Sequence, residues 1–333
     1  MNDAIESFFS EVVSLIQNAR QRAFHVVNTT LIDLYWQVGE YISHKITESG
    51  WGKSVIQQLA EFIQRTNPDL RGFSAQNLWR MRQFYETYRD KPILSALLRE
   101  LPWTHNLCIL GKCKHSEERE FYIRLAIREK WSSRELDRQI SVCLFEQAVL
   151  NPPKTSAALT HAHPDASTHF KDTYLLDFLN LPAAHSENTL KKGLLAELKR
   201  FLMELGRNFC FVGEEYLLQV GGRDFRLDLL FYHRELQCLV AFELKAGEFQ
   251  PEHLGKLTFY LEAIDRDVKK PHENPSIGVL LCASKDSEVV EYALSRTLSP
   301  AMVADYQTKL PDKALLQRKL AEFYELEMAK VSE

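Results

Sequence analysis

Hydrophobic runs long enough to span a bilayer are missing. No apolar stretch approaches the roughly 18 residues that a membrane helix needs, so nothing in the 333 residues is expected to cross a membrane. The opening Met1-Asn2-Asp3-Ala4-Ile5-Glu6 carries acids where a secretory leader has a basic region and an apolar core, so no such leader is expected. Glycine (13) and proline (12) are too sparse for a collagen-like or low-complexity chain. The six cysteines, Cys108, Cys113, Cys143, Cys210, Cys238 and Cys282, are scattered through hydrophobic stretches. That scatter excludes a disulfide framework and points to a reduced, cytoplasmic chain. Cys108, Cys113 and His115 would make only half of a zinc corner and are read as packing residues. An excess of positive charge is missing too. Against 41 Lys and Arg stand 45 Asp and Glu, a net charge of −4, so bulk electrostatics give no sign of a nucleic-acid partner.

What is present is the profile of a folded protein, 45% hydrophobic and 26% charged, long enough for two domains. Residues 1–150 read as almost wholly helical. Ile5, Phe8, Phe9, Val12, Val13 and Ile16 recur at helical spacing, and so do Leu31, Leu34, Tyr35, Val38 and Ile42. A helix from about Val55 to Arg65 stops at Asn67-Pro68-Asp69. Gly72-Phe73-Ser74 opens another through about Tyr88, with Ser74 as its N-cap. Glu117–Arg128 and Ser132–Leu150 supply two more, the second capped by Ser132. Residues 151–173 open with Asn151-Pro152-Pro153 and continue without periodicity, which predicts an interdomain linker. His161, His163 and His169 lie in it and are read as solvated rather than as metal ligands.

Residues 174–333 change character. A helix over Asn188–Leu205, closed by Gly206, precedes strand-like runs at Phe209–Val220, Phe225–His233 and Cys238–Lys245. A helix over Pro251–Ile264, a buried strand over Ile277–Cys282, a helix over Ser287–Arg296, a strand over Met302–Gln307 and a helix over Asp312–Met328 complete the chain. This order, α-β-β-β-α-β-α, predicts an α/β sheet layered with helices.

The chemistry concentrates in Arg226-Leu227-Asp228-Leu229-Leu230-Phe231-Tyr232 and Phe242-Glu243-Leu244-Lys245. Acids are depleted inside strands, so Asp228 among Leu, Phe and Tyr asks for a reason. Glu243 and Lys245, two residues apart, project from one strand face. A hairpin with Arg234–Gln237 as a symmetric loop pairs residues whose numbers sum to 471, placing Asp228 opposite Glu243. Two facing carboxylates repel, and a divalent cation turns that repulsion into coordination. By spacing alone the trio also fits a solvent-facing ladder. Apolar neighbours on both faces argue against that, because buried charge needs a partner or a metal.

The arrangement Asp228, Glu243-x-Lys245 between helices resembles the PD-(D/E)xK nuclease core. The longer strings resemble YhcG-type nucleases: Asp228-Leu229-Leu230-Phe231-Tyr232-His233, Glu243-Leu244-Lys245 with Phe249-x-Pro251-Glu252, and Glu273-Asn274-Pro275 with Ile277-Gly278. In the first half Gly72-Phe73-Ser74, Asn77-Leu78, Met81-Arg82, Leu101-Pro102-Trp103-Thr104-His105 and Trp131-Ser132 extend the likeness to nearly the whole chain. The resemblance implies a helical N-terminal domain (1–150) and a PD-(D/E)xK-like α/β domain (174–333). It also implies Mg²⁺- or Mn²⁺-dependent hydrolysis of nucleic acid, DNA foremost. Asp228, Glu243 and the carbonyl of Leu244 would be metal ligands, with Lys245 positioning water or phosphate, and nucleases of this fold often act as dimers. This chain departs from the family pattern at Lys191, where a glutamate is expected and Glu187 or Glu197 is a possible substitute, and at Lys256, where a glutamine is common. It departs again at Glu214-Glu215, where basic or amide residues are expected. These departures also fit a second reading, a catalytically weak nuclease-like module that binds nucleic acid or scaffolds a complex.

Charge distribution revises the first impression. Residues 1–150 hold 19 basic and 18 acidic residues, and residues 151–333 hold 22 and 27. Arg65, Arg71, Arg80, Arg82, Arg89 and Lys91 concentrate in one stretch. Arg71, Arg80, Arg82 and, in the second half, Lys256 are the candidate nucleic-acid contacts, with Gln76, Asn77 and Gln83 nearby. A helix-turn-helix docking and a plain amphipathic bundle helix with Leu78, Met81, Phe84 and Tyr85 buried both fit this stretch. Trp36, Trp51, Trp79, Trp103 and Trp131 are read as core or interface residues.

Overall fold

Charge and apolar patterning divide the chain into a helical half and a mixed half, and the computed structural model, which describes residues 2–49, 52–182 and 184–331, divides it similarly. Residues 1–140 and 141–333 form separate units. Among the described residues no helix is long and apolar enough to cross a membrane.

The first unit contains α1 (Asn2–Ser49), α2 (Lys53–Thr66), α3 (Ala75–Tyr88), α4 (Pro92–Leu97), α5 (Trp103–Lys112), α6 (Ser116–Glu129) and α7 (Ser133–Ser141). The two apolar runs over 5–16 and 31–42 belong to one 48-residue helix. Tyr35 and Ile42 of α1, Ile56 and Ala60 of α2, and Leu78 and Met81 of α3 make one buried cluster. Gly39 lets α1 approach α3 closely, because a Cβ there would overlap the Met81 carbonyl. Ser74 caps α3 by accepting the Asn77 N–H at 3.3 Å. Leu78, Met81, Phe84 and Tyr85 are buried, as a bundle helix requires. Eight residues, 67–74, join α2 to α3, longer than the usual helix-turn-helix connection.

Several of the first-half strings prove to be packing devices. The Trp103 indole donates to Asn77 Oδ1 at 3.1 Å, and His105 Nε2 bonds the Trp131 carbonyl at 2.9 Å. Trp36 packs edge-on to Phe84 and Tyr85. Trp51 and the side chains of Ile5 and Phe8 lie outside the described residues.

The second unit is built on one six-stranded sheet. Its strands are β1 (Thr173–Leu175), β2 (Phe209–Val220), β3 (Arg223–His233), β4 (Cys238–Glu248), β5 (Ile277–Ser284) and β6 (Ala301–Gln307), in the order β1-β6-β5-β4-β3-β2. β1, β6, β5 and β4 are parallel, while β4, β3 and β2 form an antiparallel meander. The helices are α8 (Leu144–Leu150), α9 (Ala157–Ala162), α10 (Ala166–His169), α11 (Glu187–Ala196), α12 (Leu198–Leu205), α13 (His253–Asp267), α14 (Ser287–Ser295) and α15 (Lys313–Val331). Leu190, Leu194, Phe201 and Leu205 of α11 and α12 cover one sheet face with Phe231, Val240, Phe242 and Leu244. Leu254, Leu257, Leu261 and Ile264 of α13 cover the other with Leu230, Leu239 and Ala241.

Three expectations of the sequence change here. The helix expected over Ser132–Leu150 is two helices, α7 and α8, broken at Cys143, whose φ of 57° and ψ of 45° are left-handed, and α8 falls in the second unit, which begins at residue 141 and not after 150. Residues 151–173 belong to the second unit instead of forming a linker. Leu159, Ala166 and Phe170 are buried there, Ser156 Oγ donates to the Ser299 carbonyl at 2.8 Å, and His163 Nε2 bonds the Pro275 carbonyl at 2.8 Å. The helices α9 and α10, six and four residues long, are too short to show a helical period in the sequence. The helix expected over 188–205 is two helices that meet at Glu197, whose φ of −109° and ψ of 30° break the turn.

The close approach at Gly39 yields a test. Gly39→Ala should destabilise the first unit by about 1–3 kcal/mol through overpacking, read as a lower denaturation midpoint by circular dichroism.

Candidate active site

The apolar alternation of β4 fixes where its charges go. Val240, Phe242 and Leu244 face α11 and α12, and Ala241 faces α13. Glu243 and Lys245 therefore continue the α13 face, and they bond each other at 3.2 Å. The expected register holds from His233–Cys238 to Leu229–Phe242, every pair summing to 471.

The ladder ends there, one residue before Asp228, so Asp228 and Glu243 are not a ladder pair. On its other side β3 pairs Glu214 with Leu229 and Tyr216 with Leu227, which leaves Glu215 and Asp228 outside that ladder too. The cause is a slip in alternation. Leu227 faces α13, whereas Leu229 and Phe231 face α11 and α12, so both strands shift phase at Asp228 and Glu215. Glu215 absorbs the change with a left-handed φ of 45°. Freed from the ladders, the Asp228 carboxylate accepts the Leu244 N–H at 2.9 Å, which sets it beside Glu243 along the chain of β4.

Helices flank this point on both sides. Ser186 caps α11 by accepting the Thr189 N–H at 3.1 Å, and α11 then presents Glu187 and Lys191 one turn apart. Lys191 bonds both Glu215 and Asp228, the latter at 3.3 Å. Glu187 takes the Lys245 ammonium at 3.2 and 3.3 Å. Glu197 pairs with Arg200 instead, so of the two candidate acids only Glu187 reaches the site. From the other side α13 brings Lys256, whose ammonium bonds Glu243 Oε1 at 2.6 Å and lies 5.3 Å from the Tyr260 ring centre.

Glu243 is the most enclosed group, only 1% exposed. Its Oε1 takes both lysines, Lys245 and Lys256, while its buried Oε2 has no hydrogen-bond partner among the described residues. Burial alone would lower the Lys256 pKa, but the bond to Glu243 and its charge outweigh it and raise that pKa. Burial also raises Tyr260, against the pull of Lys256. His253, at the start of α13, is held below its ordinary range by burial and by the Lys245 cation.

Asp228, Glu243, Leu244, Lys245 and Lys256 are thus gathered at one place. Arg71, Arg80 and Arg82 belong to the other unit. There Arg71 and Arg80 are exposed, and Arg82 bonds Glu86 at 2.8 Å with its guanidinium 5.0 Å from the Trp79 ring centre. Gln76, Trp79, Arg80, Arg82, Gln83 and Glu86 line a shallow hollow of about 350 Å³. Sequence reasoning missed His253 and Tyr260. The available signal for Tyr260 was its spacing of four from Lys256 on one helix. Its hydroxyl donates to the Arg226 carbonyl at 2.9 Å and so ties α13 to β3 just before Asp228.

Chemically, the site sets four carboxylates (Glu187, Glu215, Asp228, Glu243) among three ammonium groups (Lys191, Lys245, Lys256). Among the described residues no three His, Cys, Asp or Glu cluster closely enough to hold an ion by side chains alone. Two carboxylates completed by backbone oxygen and water are the donor set that Mg²⁺ accepts. The unpartnered Glu243 Oε2 fits such an ion. The cysteines are not candidate nucleophiles here, since burial pushes Cys238 and Cys282 up to about 12.

Comparison with known proteins gives consistent matches. Residues 167–321 match the YhcG PDDEXK nuclease domain, and residues 11–147 match the DUF1016 N-terminal domain. A curated relative from Escherichia coli (strain K12), "Putative nuclease YhcG", is 31% identical over 93% of this chain and 92% of its own length. Among solved structures, a repair endonuclease from Pyrococcus abyssi is similar at 11% identity with a TM-score of 0.26, over 40% of this chain and 50% of that one. An EndoMS–dsDNA complex is similar at 16% identity with a TM-score of 0.25, over 40% and 49%. This chain spans about half of those structures.

The charge balance yields a test. Lys191→Met should leave Glu215 and Asp228 without their shared cation and lower stability by about 1–3 kcal/mol. In thermal melts, added Mn²⁺ should then raise the midpoint more for the variant than for the parent.

Proposed function

The chain belongs to the YhcG family, which joins a DUF1016 N-terminal domain to a PDDEXK nuclease domain, and on that premise we propose that it hydrolyses phosphodiester bonds in DNA with a divalent cation held by Asp228 and Glu243. The observation that carries this reading is the buried Glu243 carboxylate with one unpartnered oxygen, two residues from a lysine and next in chain to the Leu244 amide that holds Asp228.

Mg²⁺ or Mn²⁺, when bound, supplies Lewis acidity and neutralises charge at the scissile phosphate. Asp228 and Glu243 hold it with carboxylate oxygens and Leu244 with its carbonyl, all hard donors suited to these ions. Lys245 holds the attacking water or a phosphate oxygen with its ammonium, and Glu187 orients Lys245. Lys256, half exposed, exchanges Glu243 for a phosphate oxygen as substrate arrives. Arg71, Arg80 and Arg82 contact the nucleic-acid backbone, and Gln76 and Gln83 lie close enough in sequence to add polar contacts. The six free thiols fit a reducing cytoplasm.

A second reading, a catalytically weak module that binds nucleic acid, is favoured by Lys191 and Lys256, which already occupy the carboxylates. Calorimetry showing no Mn²⁺ binding, with DNA affinity unchanged by Asp228→Ala, would select it.

Plasmid cleavage in Mg²⁺ or Mn²⁺ tests the first reading. Asp228→Ala and Lys245→Ala should each lower the rate about 10²–10³-fold, and chelation should abolish it. Cleavage that survives in both variants contradicts the assignment. Lys256→Gln separates the roles of its lysine. Losing a neighbouring cation should tighten Mn²⁺ binding roughly five- to tenfold by calorimetry, while affinity for DNA falls.

A further inference from the structure

Asp228 belongs to two acid pairs, and one of them is already neutralised. Its Oδ2 accepts the Leu244 N–H at 2.9 Å, which sets it beside Glu243, whose buried Oε2 has no hydrogen-bond partner among the described residues. Its Oδ1 accepts the Lys191 ammonium at 3.3 Å, and the same ammonium bonds Glu215 Oε1. Asp228 and Glu243 thus form a pair with an open oxygen. Asp228 and Glu215 form a pair that shares a positive charge. Many enzymes that cleave phosphodiesters bind two cations about 3.5–4 Å apart. A carboxylate has lone pairs enough to serve two such positions at once, as Asp228 would here.

The lysine between Asp228 and Glu215 is held more firmly than the one that closes Glu243 from α13. The Lys191 side chain is 16% exposed, against 50% for Lys256. Leu190 beside it in sequence and Leu194 farther along α11 are fully buried against the sheet, which anchors this stretch of helix. Glu215 meets the ammonium from a left-handed backbone, φ 45°, a conformation that a non-glycine residue keeps only when its surroundings enforce it. A divalent ion at this position would have to displace a tethered cation from two acids or sit against its like charge.

We infer that the Lys191 ammonium stands in for a second divalent ion, so that the chain holds a single ion, between Asp228 and Glu243, with a fixed positive charge beside it. This rests on the nuclease reading and deepens it by setting the number of ions. Lys191 is then a positioning residue. It holds Asp228 and Glu215 at any metal concentration and does not itself touch substrate.

Counting Mn²⁺ bound per chain tests this on the full protein without nucleic acid, through the electron paramagnetic resonance of the ion left free at equilibrium. The count on Asp228→Ala, which lacks both positions, is subtracted as binding elsewhere. The parent should then hold one ion. Lys191→Met should hold two, with the magnetic coupling of close Mn²⁺ ions in its spectrum, and Lys191→Gln repeats the count should the Met variant fail to fold. Lys191→Met with Glu215→Gln should return to one, because the vacated position has lost an acid. Two ions on the parent overturn the inference with no variant needed. So does a single ion on the folded Lys191 variants, or a second ion that persists in the double variant, and each of these leaves the nuclease reading standing. A parent that binds no ion contradicts the nuclease reading itself, and the inference falls with it.

Discussion

The second unit depends on one hydrogen bond that an ordinary sheet would not contain, from the Leu244 amide to the Asp228 carboxylate. It forms because β2 and β3 slip together at Glu215 and Asp228, which removes both residues from the ladders. Without the slip Asp228 would take its place in the pleat, and an unpaired carboxylate among Leu and Phe would be costly to bury. With the slip, the acid is turned onto β4 beside Glu243. The lysines of α11 and α13 can then close on both carboxylates from opposite faces of the sheet.

Electrostatics then accounts for the unusual residues. Lys191 sits between two acids, Lys245 between two more, and Lys256 on the most buried one. Charge deep in a sheet is tolerable only when neutralised locally. The site is balanced to within one formal charge by its own lysines. Glutamates at Glu215 and Glu187 are intelligible in the same way, since each provides an acceptor for a lysine that would otherwise face only one acid. This internal balance links the site's stability to its proposed chemistry, because two of the ammonium groups that hold Glu243, those of Lys245 and Lys256, are the ones proposed to receive phosphate.

Much of this was legible in the residues. The strands, the hairpin register and the shared face of Glu243 and Lys245 follow from alternation and loop length, and they stand in the structure. So does the Ser74 cap. Family membership was legible in strings such as Gly72-Phe73-Ser74 and Leu101-Pro102-Trp103, whose structural reason is the packing around Trp103, Asn77 and His105. Other features had no local signal. The slip at Asp228 depends on Glu215, thirteen residues away on a neighbouring strand, adopting a left-handed backbone. The segment 151–173 looked like a linker because its helices, six and four residues long, are too short to display a helical repeat, and it is held by Ala301 at the start of β6 and by the loop at Pro275. The break at Glu197 leaves the apolar spacing on both sides intact, so periodicity could not mark it.

The account turns on whether Asp228 and Glu243 act together on a cation. Anomalous diffraction from a crystal soaked in Mn²⁺ addresses this most directly. The account predicts a single strong peak in contact with Asp228, Glu243 Oε2 and the Leu244 carbonyl. A map with no peak there at saturating Mn²⁺, with Lys191 and Lys256 still on the carboxylates, would contradict it.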